Sequence, residues 1–244
     1  MNDPRYGTLY GIGVGPGDPD LISVKAVKIL KRVSVVFAAS SSKNRHSQAV
    51  NIARPHIPAD AQVRMLGFPM TTVRDEVEKA WITNAKTIIE VLNRGEDAAF
   101  LTLGDSMTYS TYGYVLPYIQ QLAPDIPIET IPGITAYQAA AARLNQPLVE
   151  GEQSLLLLSG AHGGDRLRQF NEKPDTVVMM KAYKNVGDIV TALDECNMGK
   201  SSTGICKCSL PNEEIVEDIH DLTTRPPGYW TLIIAKRNGI HEKS

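Results

Sequence analysis

Three short segments combine glycine with a polar side chain, and each follows a stretch that has the pattern of a strand. They are residues 13–18, 103–108 and 131–136. Glycine lets a ligand approach the bare backbone, and open α/β sheets bind ligands beyond the carboxyl ends of their strands. A single segment of this kind is often an ordinary tight turn. Three of them at strand ends predict a shared binding site for a small molecule.

The first segment does not have the spacing of a dinucleotide site. In the G-x-G-x-x-G fingerprint the third glycine would fall on Pro16 or Asp18. The next apolar stretch, residues 33–37, is followed by Ala38-Ala39-Ser40, without the acid that holds a ribose diol in that fold. Both observations disfavour a dinucleotide-dependent oxidoreductase.

Composition describes an ordinary globular protein. Of the 244 residues, 43% are apolar and 21% are charged, and the net charge is -2. That charge offers no electrostatic reason to expect nucleic acid or an anionic membrane as a partner. We expect a cytoplasmic protein, because no apolar run is long enough to span a membrane and the N-terminus lacks a signal-peptide core. The three cysteines are expected to be free thiols, and the scattered histidines indicate no metal site.

Apolar stretches alternate with helical patterns, which predicts an α/β fold with a mainly parallel sheet in the first half. The clearest helix is expected over residues 72–93, and Ser23 is expected to cap an earlier one. Pro124 and Pro127 favour a domain boundary, so we predict an N-terminal domain over residues 1–123 and a C-terminal domain over 124–244. Fewer glycine turns in the second half predict a mixed sheet there.

Read together, the motifs resemble those of the tetrapyrrole methylases, which are class III S-adenosylmethionine-dependent methyltransferases. The matching segments run in order along nearly the whole chain: Gly13-Val14-Gly15-Pro16-Gly17-Asp18, Thr102-Leu103-Gly104-Asp105-Ser106-Met107, Ile131-Pro132-Gly133-Ile134-Thr135-Ala136, Met179-Met180-Lys181-Ala182, Lys207-Cys208-Ser209-Leu210-Pro211-Asn212-Glu213-Glu214 and Tyr229-Trp230-Thr231-Leu232. Residues 7–11, 15–19, 102–105 and 109–112 are most similar to the subgroup that methylates C20 of precorrin-2. Ser106 stands where the family usually has proline, which predicts a slightly looser loop.

The resemblance implies a cofactor cleft between two α/β domains, S-adenosylmethionine as the methyl donor, and a homodimer. The residues that it implies for the donor site are Val14, Gly104, Asp105, Met107, Thr108, Thr135, Ala136, Met180, Ala182, Cys208 and Thr231. Asp105 would face the amino-acid or sulfonium end, and Thr135 with Ala136 would hold the carboxylate at a helix start. Met180, Ala182, Cys208 and Thr231 would line the adenine. Without the resemblance, Met180 and Cys208 have the pattern of strand core, and Asp105 that of a turn.

On the tetrapyrrole side, the resemblance places the first glycine loop, with Asp18 as a candidate partner for the substrate or for a proton. An Asp-Pro turn that starts the following helix explains Asp18 equally well. Lys43, Arg45 and His46 could meet substrate carboxylates, and a solvated loop is the alternative.

The implied function is transfer of a methyl group from S-adenosylmethionine to C20 of precorrin-2 or cobalt-factor II, in corrin ring biosynthesis. Such a displacement needs alignment and exclusion of water more than an activated side chain. Within the family, another ring position, diphthine synthase or a ribosomal-RNA ribose methyltransferase are the alternatives. A binding module without turnover is an alternative of another class.

Overall fold

The computed structural model describes residues 6–41 and 47–237. Lys43, Arg45 and His46 lie outside the described residues. The chain divides into two compact units, one ending at Thr135 and the other beginning at Ala136. Each unit is built around its own sheet, as expected for an α/β fold with two domains.

The described part of the first unit contains a parallel five-stranded sheet with the strand order β3-β2-β4-β1-β5. Its elements are β1 (Leu9–Gly13), α1 (Val24–Leu30), β2 (Val35–Ser41), α2 (Gln48–Ala53), β3 (Gln62–Phe68), α3 (Arg74–Leu92), β4 (Ala98–Thr102), α4 (Tyr112–Leu122) and β5 (Ile128–Ile131). Because all five strands run in one direction, all their carboxyl ends lie on one edge of the sheet.

Local sequence accounts for how the elements of this sheet begin and pack. Ser23 caps α1, as predicted, and its Oγ accepts a hydrogen bond of 3.2 Å from Ala26 N–H. β1 and β4 are buried along their whole lengths, which is typical of central strands covered on both faces. The Tyr112 ring lies directly against Gly11, where a side chain would overlap it, so this glycine lets α4 reach the sheet.

The second unit has the mixed sheet that the sequence predicts. Among the described residues its strand order is β6-β7-β10-β8-β9, and β10 runs antiparallel to β7 and to β8. Its elements are α5 (Ala136–Leu144), β6 (Leu155–Ser159), α6 (Asp165–Arg168), β7 (Thr176–Met180), α7 (Val186–Glu195), β8 (Ser202–Cys206), β9 (Glu214–Val216), α8 (Asp221–Thr224) and β10 (Thr231–Lys236).

The boundary between the units differs from the predicted one. It lies after Thr135 and not after Ala123. The reason is that β5 pairs in parallel with β1, from Leu9 opposite Ile128 to Ile12 opposite Ile131, and so belongs to the first sheet. The two prolines therefore bracket a connection within the first unit. None of the helices in residues 6–41 and 47–237 is both long and apolar enough to cross a membrane.

Candidate functional site

The loops that follow β1 and β4 are joined to each other. Gly15 N–H donates to Gly104 O at 3.1 Å, and Gly104 N–H donates to Gly15 O at 2.7 Å, which forms a small antiparallel bridge beyond a parallel sheet. Both glycines have left-handed backbones, with φ of +84° and +72°. Such a conformation is easy for glycine and costly for other residues, so the bridge depends on these residue types.

The loop after β5 joins the same cluster through the backbone of Gly133. A Cβ atom on Gly133 would lie 2.7 Å from the carbonyl oxygen of Gly13 and closer still to that of Gly104. A Cβ on Gly13 would lie 2.6 Å from Gly104 O and 2.7 Å from Gly133 N. Three glycine backbones are thus in direct contact, and the three loops form one unit of structure at the carboxyl edge of the sheet.

The Asp105 carboxylate braces this cluster. Its Oδ2 accepts a hydrogen bond of 3.0 Å from Gly133 N–H, and its Oδ1 accepts bonds from Met107 N–H at 2.8 Å and Thr108 Oγ1–H at 3.2 Å. The carboxylate therefore connects two loops, because Oδ1 holds its own loop and Oδ2 holds the loop after β5. The bond to Gly133 spans 28 residues, so a local turn alone does not describe Asp105.

Ser106 tightens the loop, and the prediction that it would loosen it is wrong. Its side chain is fully buried, and its Oγ donates to Ile131 O at 3.4 Å. Thr102 Oγ1 donates to Ile12 O and lies 3.3 Å from Ser106 Oγ. The two hydroxyls thereby tie the ends of β1, β4 and β5 together, through polar atoms that burial makes costly to leave unpaired.

An open cradle remains beside Gly104. Among the described residues, and apart from the two chain neighbours, a Cβ atom there would find Ile134 O and Thr135 Cα within 4 Å, each at 3.9 Å. Thr108 is half-buried and Thr135 is buried, whereas Met107 is 62% exposed. Val14, which is fully buried, donates its N–H to Thr102 O at 3.0 Å and so lies in the core beneath the loops. The cradle is bordered by backbone of residues 134 and 135.

Asp18 stands outside the bridged part of its loop. Its side chain is exposed, and Oδ1 accepts a hydrogen bond of 2.9 Å from Asp20 N–H. It caps the short 3₁₀ turn Pro19–Leu21, which agrees with the Asp-Pro turn considered from the sequence.

In the second unit, four predicted residues lie at one edge of the mixed sheet. Because β10 is antiparallel to its neighbours, Thr231 at its start lies beside the ends of β7 and β8, where Met180, Ala182 and Cys208 are found. Ala182, Cys208 and Thr231 are buried and Met180 is half-buried. Small side chains here leave backbone amides and carbonyls as the main polar groups.

Backbone hydrogen bonds hold this edge in place. Ala182 N–H donates to Thr231 O at 2.9 Å, and Lys207 N–H donates to Trp230 O at 2.7 Å. Lys181 and Lys207, each directly after a strand, have φ of +57° and +54°. Thr231 Oγ1 also donates to Gly228 O at 2.8 Å. Burial lowers the pKa of the Lys181 ammonium and raises the pKa of the Cys208 thiol, so both lie in poorly solvated surroundings.

Packing separates the members of this edge between two faces of the sheet. Met180 and Cys208 pack with the cluster that α5 covers, and Ala136 at the start of α5 belongs to the same cluster. Ala182 packs on the opposite face, with α7. The structure thus groups Val14, Gly104, Asp105, Met107, Thr108 and Thr135 in the first unit, and Ala136, Met180, Ala182, Cys208 and Thr231 in the second.

Several residues that shape these edges were not predicted as site residues. Thr102, Ser106 and Gly133 act through hydrogen bonds or contacts between loops far apart in sequence, which spacing within one segment does not reveal. Tyr109, Lys181 and Lys207 differ in another way, because their left-handed backbones carry no sequence signal when the residue is not glycine or asparagine.

The sequence is similar to proteins of one known family. Residues 8–222 match the family described as tetrapyrrole (corrin/porphyrin) methylases. The chain is 30% identical over 232 residues to the cobalt-precorrin-2 C(20)-methyltransferase of Salmonella typhimurium, covering 95% of this chain and 97% of that one. It is 32% identical over 185 residues to the probable cobalt-precorrin-2 C(20)-methyltransferase of Methanocaldococcus jannaschii, covering 76% of each.

Among solved structures, the chain is similar to the uroporphyrin-III C-methyl transferase of Thermus thermophilus complexed with S-adenyl homocysteine. The TM-score is 0.66 at 20% identity, with 94% of this chain and 97% of the other covered. At this identity the likeness concerns the fold. Taken with the family match over most of the sequence, it shows that the chain belongs to the tetrapyrrole (corrin/porphyrin) methylases.

Proposed function

We propose that this protein transfers a methyl group from S-adenosylmethionine to C20 of precorrin-2 or its cobalt-bearing counterpart, in cobalamin biosynthesis. The observation that carries the proposal is the end-to-end match to the Salmonella typhimurium C20-methyltransferase, at 30% identity over 95% of the chain. The match spans the glycine loops of the first unit and the strand edge of the second, so both candidate regions lie within it.

The residues present suit a methyl donor of this kind. The donor carries an amino acid, a sulfonium and an adenosine, so its site needs close backbone, oxygen acceptors and an apolar slot. The cradle beside Gly104 offers the first two, since no side chain fills it and backbone of residues 134 and 135 borders it. Within the second unit, buried Cys208 and Thr231 beside half-buried Met180 have the apolar character of the third. When bound, S-adenosylmethionine supplies an electrophilic methyl group.

The chain's own contribution is alignment. Gly104 and Thr108 would hold the amino-acid end, and Asp105 acts on the same end by fixing the amides of Met107 and Gly133. Thr135 and Ala136 would hold the carboxylate, and Met180, Ala182, Cys208 and Thr231 the adenine. Rigid loops of this kind lower the cost of bringing a donor and an acceptor carbon together, and they limit the water around them.

Asp18 would face the tetrapyrrole. Its exposure leaves the carboxylate accessible, while its bond to Asp20 N–H fixes its position. We also propose that the protein is a homodimer, as the family resemblance implies, and that it acts in the cytoplasm. An apolar patch on α3 and α4 supports a second copy as the partner, because Trp81 and Tyr114 stack with centroids 4.7 Å apart while Tyr114 stays 47% exposed.

The test is to incubate the protein with S-adenosylmethionine and either precorrin-2 or cobalt-factor II, and to look for the mass gain of one methyl. Nuclear magnetic resonance of the product then identifies the carbon. Methylation at another carbon would replace the C20 assignment and keep the family. Binding of S-adenosylhomocysteine without methylation of either compound would overturn the substrate. Sedimentation of the protein and of Tyr114→Glu tests the dimer, which the variant should dissociate.

A further inference from the structure

Left-handed backbone conformations at residues other than glycine and asparagine occur after strands whose ends carry candidate site residues. In the described parts of the chain, eight such residues have positive φ. Four are asparagines, which adopt this conformation readily. The other four are Tyr109, Lys181, Lys207 and Ser209, and each lies in a segment that follows β4, β7 or β8. Backbone strain that persists in a folded protein is typical of functional segments.

Tyr109 is the bulkiest of the four. Its φ is +50°, an unusual value for an aromatic residue. The next residue fixes the loop on that side, because Ser110 Oγ donates to Ser106 O and accepts a hydrogen bond of 3.2 Å from Gly113 N–H. On the other side, Asp105 holds Met107 and Thr108. The strained residue is therefore held from both directions.

The Tyr109 ring lies partly at the surface. The ring is 44% exposed, whereas Tyr112, three residues later, is fully buried and bonds Thr130 Oγ1 at 3.1 Å. Three other large apolar side chains nearby in these loops are also exposed. Leu103 at 39% and Met107 at 62% lie in the loop after β4, and Ile134 at 39% lies in the loop after β5. Exposed apolar side chains on loops that hydrogen bonds hold in place suit a ligand with apolar faces.

We propose that Tyr109 determines specificity for the tetrapyrrole, by placing its ring against a face of the macrocycle. The inference rests on the proposed function. A macrocycle is wide enough to cover several of these exposed side chains at once, whereas the methyl donor is small and charged at the end that the cradle would hold. Burial raises the pKa of the Tyr109 hydroxyl above its ordinary value.

The experiment compares Tyr109→Asn and Tyr109→Phe with the parent protein. Asn accepts a left-handed backbone, so the first variant removes the ring without adding strain and should unfold at the same temperature or higher. Its KM for the tetrapyrrole should rise about tenfold or more, as expected for loss of an aromatic contact. Its affinity for S-adenosylhomocysteine, measured by calorimetry, should stay within about twofold. Phe keeps the ring, so its KM should remain close to that of the parent.

Phe170→Asn is the control, because it removes another exposed aromatic ring, in the second unit, and should leave the KM unchanged. An unchanged KM in Tyr109→Asn would overturn the inference and leave the proposed function standing. A parallel loss of affinity for S-adenosylhomocysteine would also overturn it, since Tyr109 would then serve the donor. If the parent binds S-adenosylhomocysteine but methylates no tetrapyrrole, the proposed function is wrong. The proposed contact between Tyr109 and the tetrapyrrole is then wrong as well.

Discussion

At the carboxyl edge of the first sheet, neighbouring loops are held together by direct contact between glycine backbones. At the edge of the second sheet where β10 begins, neighbouring segments are held together by backbone hydrogen bonds. The first arrangement joins Gly13, Gly104 and Gly133, which lie in three loops of a parallel sheet. The second joins the start of an antiparallel strand to the ends of its two neighbours, through Ala182 and Lys207 N–H groups.

The difference follows from strand direction. Parallel strands end together, so their loops crowd one another and only glycine allows the closest approach. An antiparallel strand enters between two strands that leave, so its first carbonyls can accept hydrogen bonds from the segments beside it. The first edge should therefore be sensitive to added atoms, and the second to lost hydrogen bonds. The predictions below test that contrast.

The largest effect is expected for Gly133→Ala. Gly133 does not have a left-handed backbone, so its conformation suits alanine. The Cβ of that alanine, however, would overlap the carbonyl oxygens of Gly13 and Gly104. We expect a loss of about 3 kcal/mol or more in the free energy of unfolding, together with weaker S-adenosylhomocysteine binding. Urea unfolding and calorimetry measure both. The control is Gly113→Ala in α4, where the nearest atom, Ser110 Oγ, is 3.9 Å away and stability should not fall. Equal effects would contradict the proposed crowding.

Asp105→Asn should have the next largest effect. The amide nitrogen cannot accept a hydrogen bond, so either Gly133 N–H or Met107 N–H loses its acceptor. We expect a loss of about 2 kcal/mol in unfolding free energy. Asp18→Asn is the matched control for stability, because an asparagine oxygen can still cap the turn at Asp20. If the two variants are equally stable, Asp105 does not brace the loops.

Thr231→Val tests the second edge. Valine has nearly the same shape but lacks the hydroxyl that bonds Gly228 O and Cys206 Sγ. A loss of about 1 kcal/mol in chemical unfolding is expected. Thr203→Val, on β8 opposite Ile234, should change stability by less than about 0.5 kcal/mol. If Thr203→Val lost more unfolding free energy than Thr231→Val, the added methyl group, and not the lost hydrogen bonds, would decide stability at this sheet.

The smallest effect is a pH dependence in the second unit, away from its strand edge. His220 lies between Asp218 at 2.6 Å and Asp194 at 3.0 Å, and these carboxylates raise its pKa above the ordinary 6.5. Protonated His220, bonded to the two carboxylates, stabilises the fold fully below pH 6.5. This contribution is lost as the pH rises through the raised pKa of His220. Thermal unfolding of the parent and of His220→Gln should therefore differ slightly at pH 6 and converge at alkaline pH, as expected for an exposed pair. A gap that widens at high pH would reverse the assignment.

The sequence predicts the strands of both sheets to within a few residues, because their apolar runs are bounded by turns. It misses α2, α6, α7, α8 and β9. Asn185 before α7 is a residue type that commonly caps helices, but its backbone is left-handed and its side chain makes no capping bond. The three glycine loops are predicted correctly as elements of one region.

What each site residue does is less accessible to sequence. Asp105 was expected to face the cofactor, and the structure shows that both its oxygens hold loop backbone. The role of Ser106 becomes clear only from its hydrogen bonds to Thr102 and Ile131, which the sequence does not show. Spacing identifies which segments matter, whereas hydrogen bonds between segments far apart decide how each residue acts.

The bridge between Gly15 and Gly104 also bears on the order of folding. The first glycine loop is complete only when residues made much later are in place, since Thr102 Oγ1 reaches Ile12 O across 90 residues and Gly133 follows later still. Contacts of such sequence separation form slowly. On the ribosome, we therefore expect the loop after β1 to take its shape only after β4 and β5 have been made, because its partners lie at the ends of those strands.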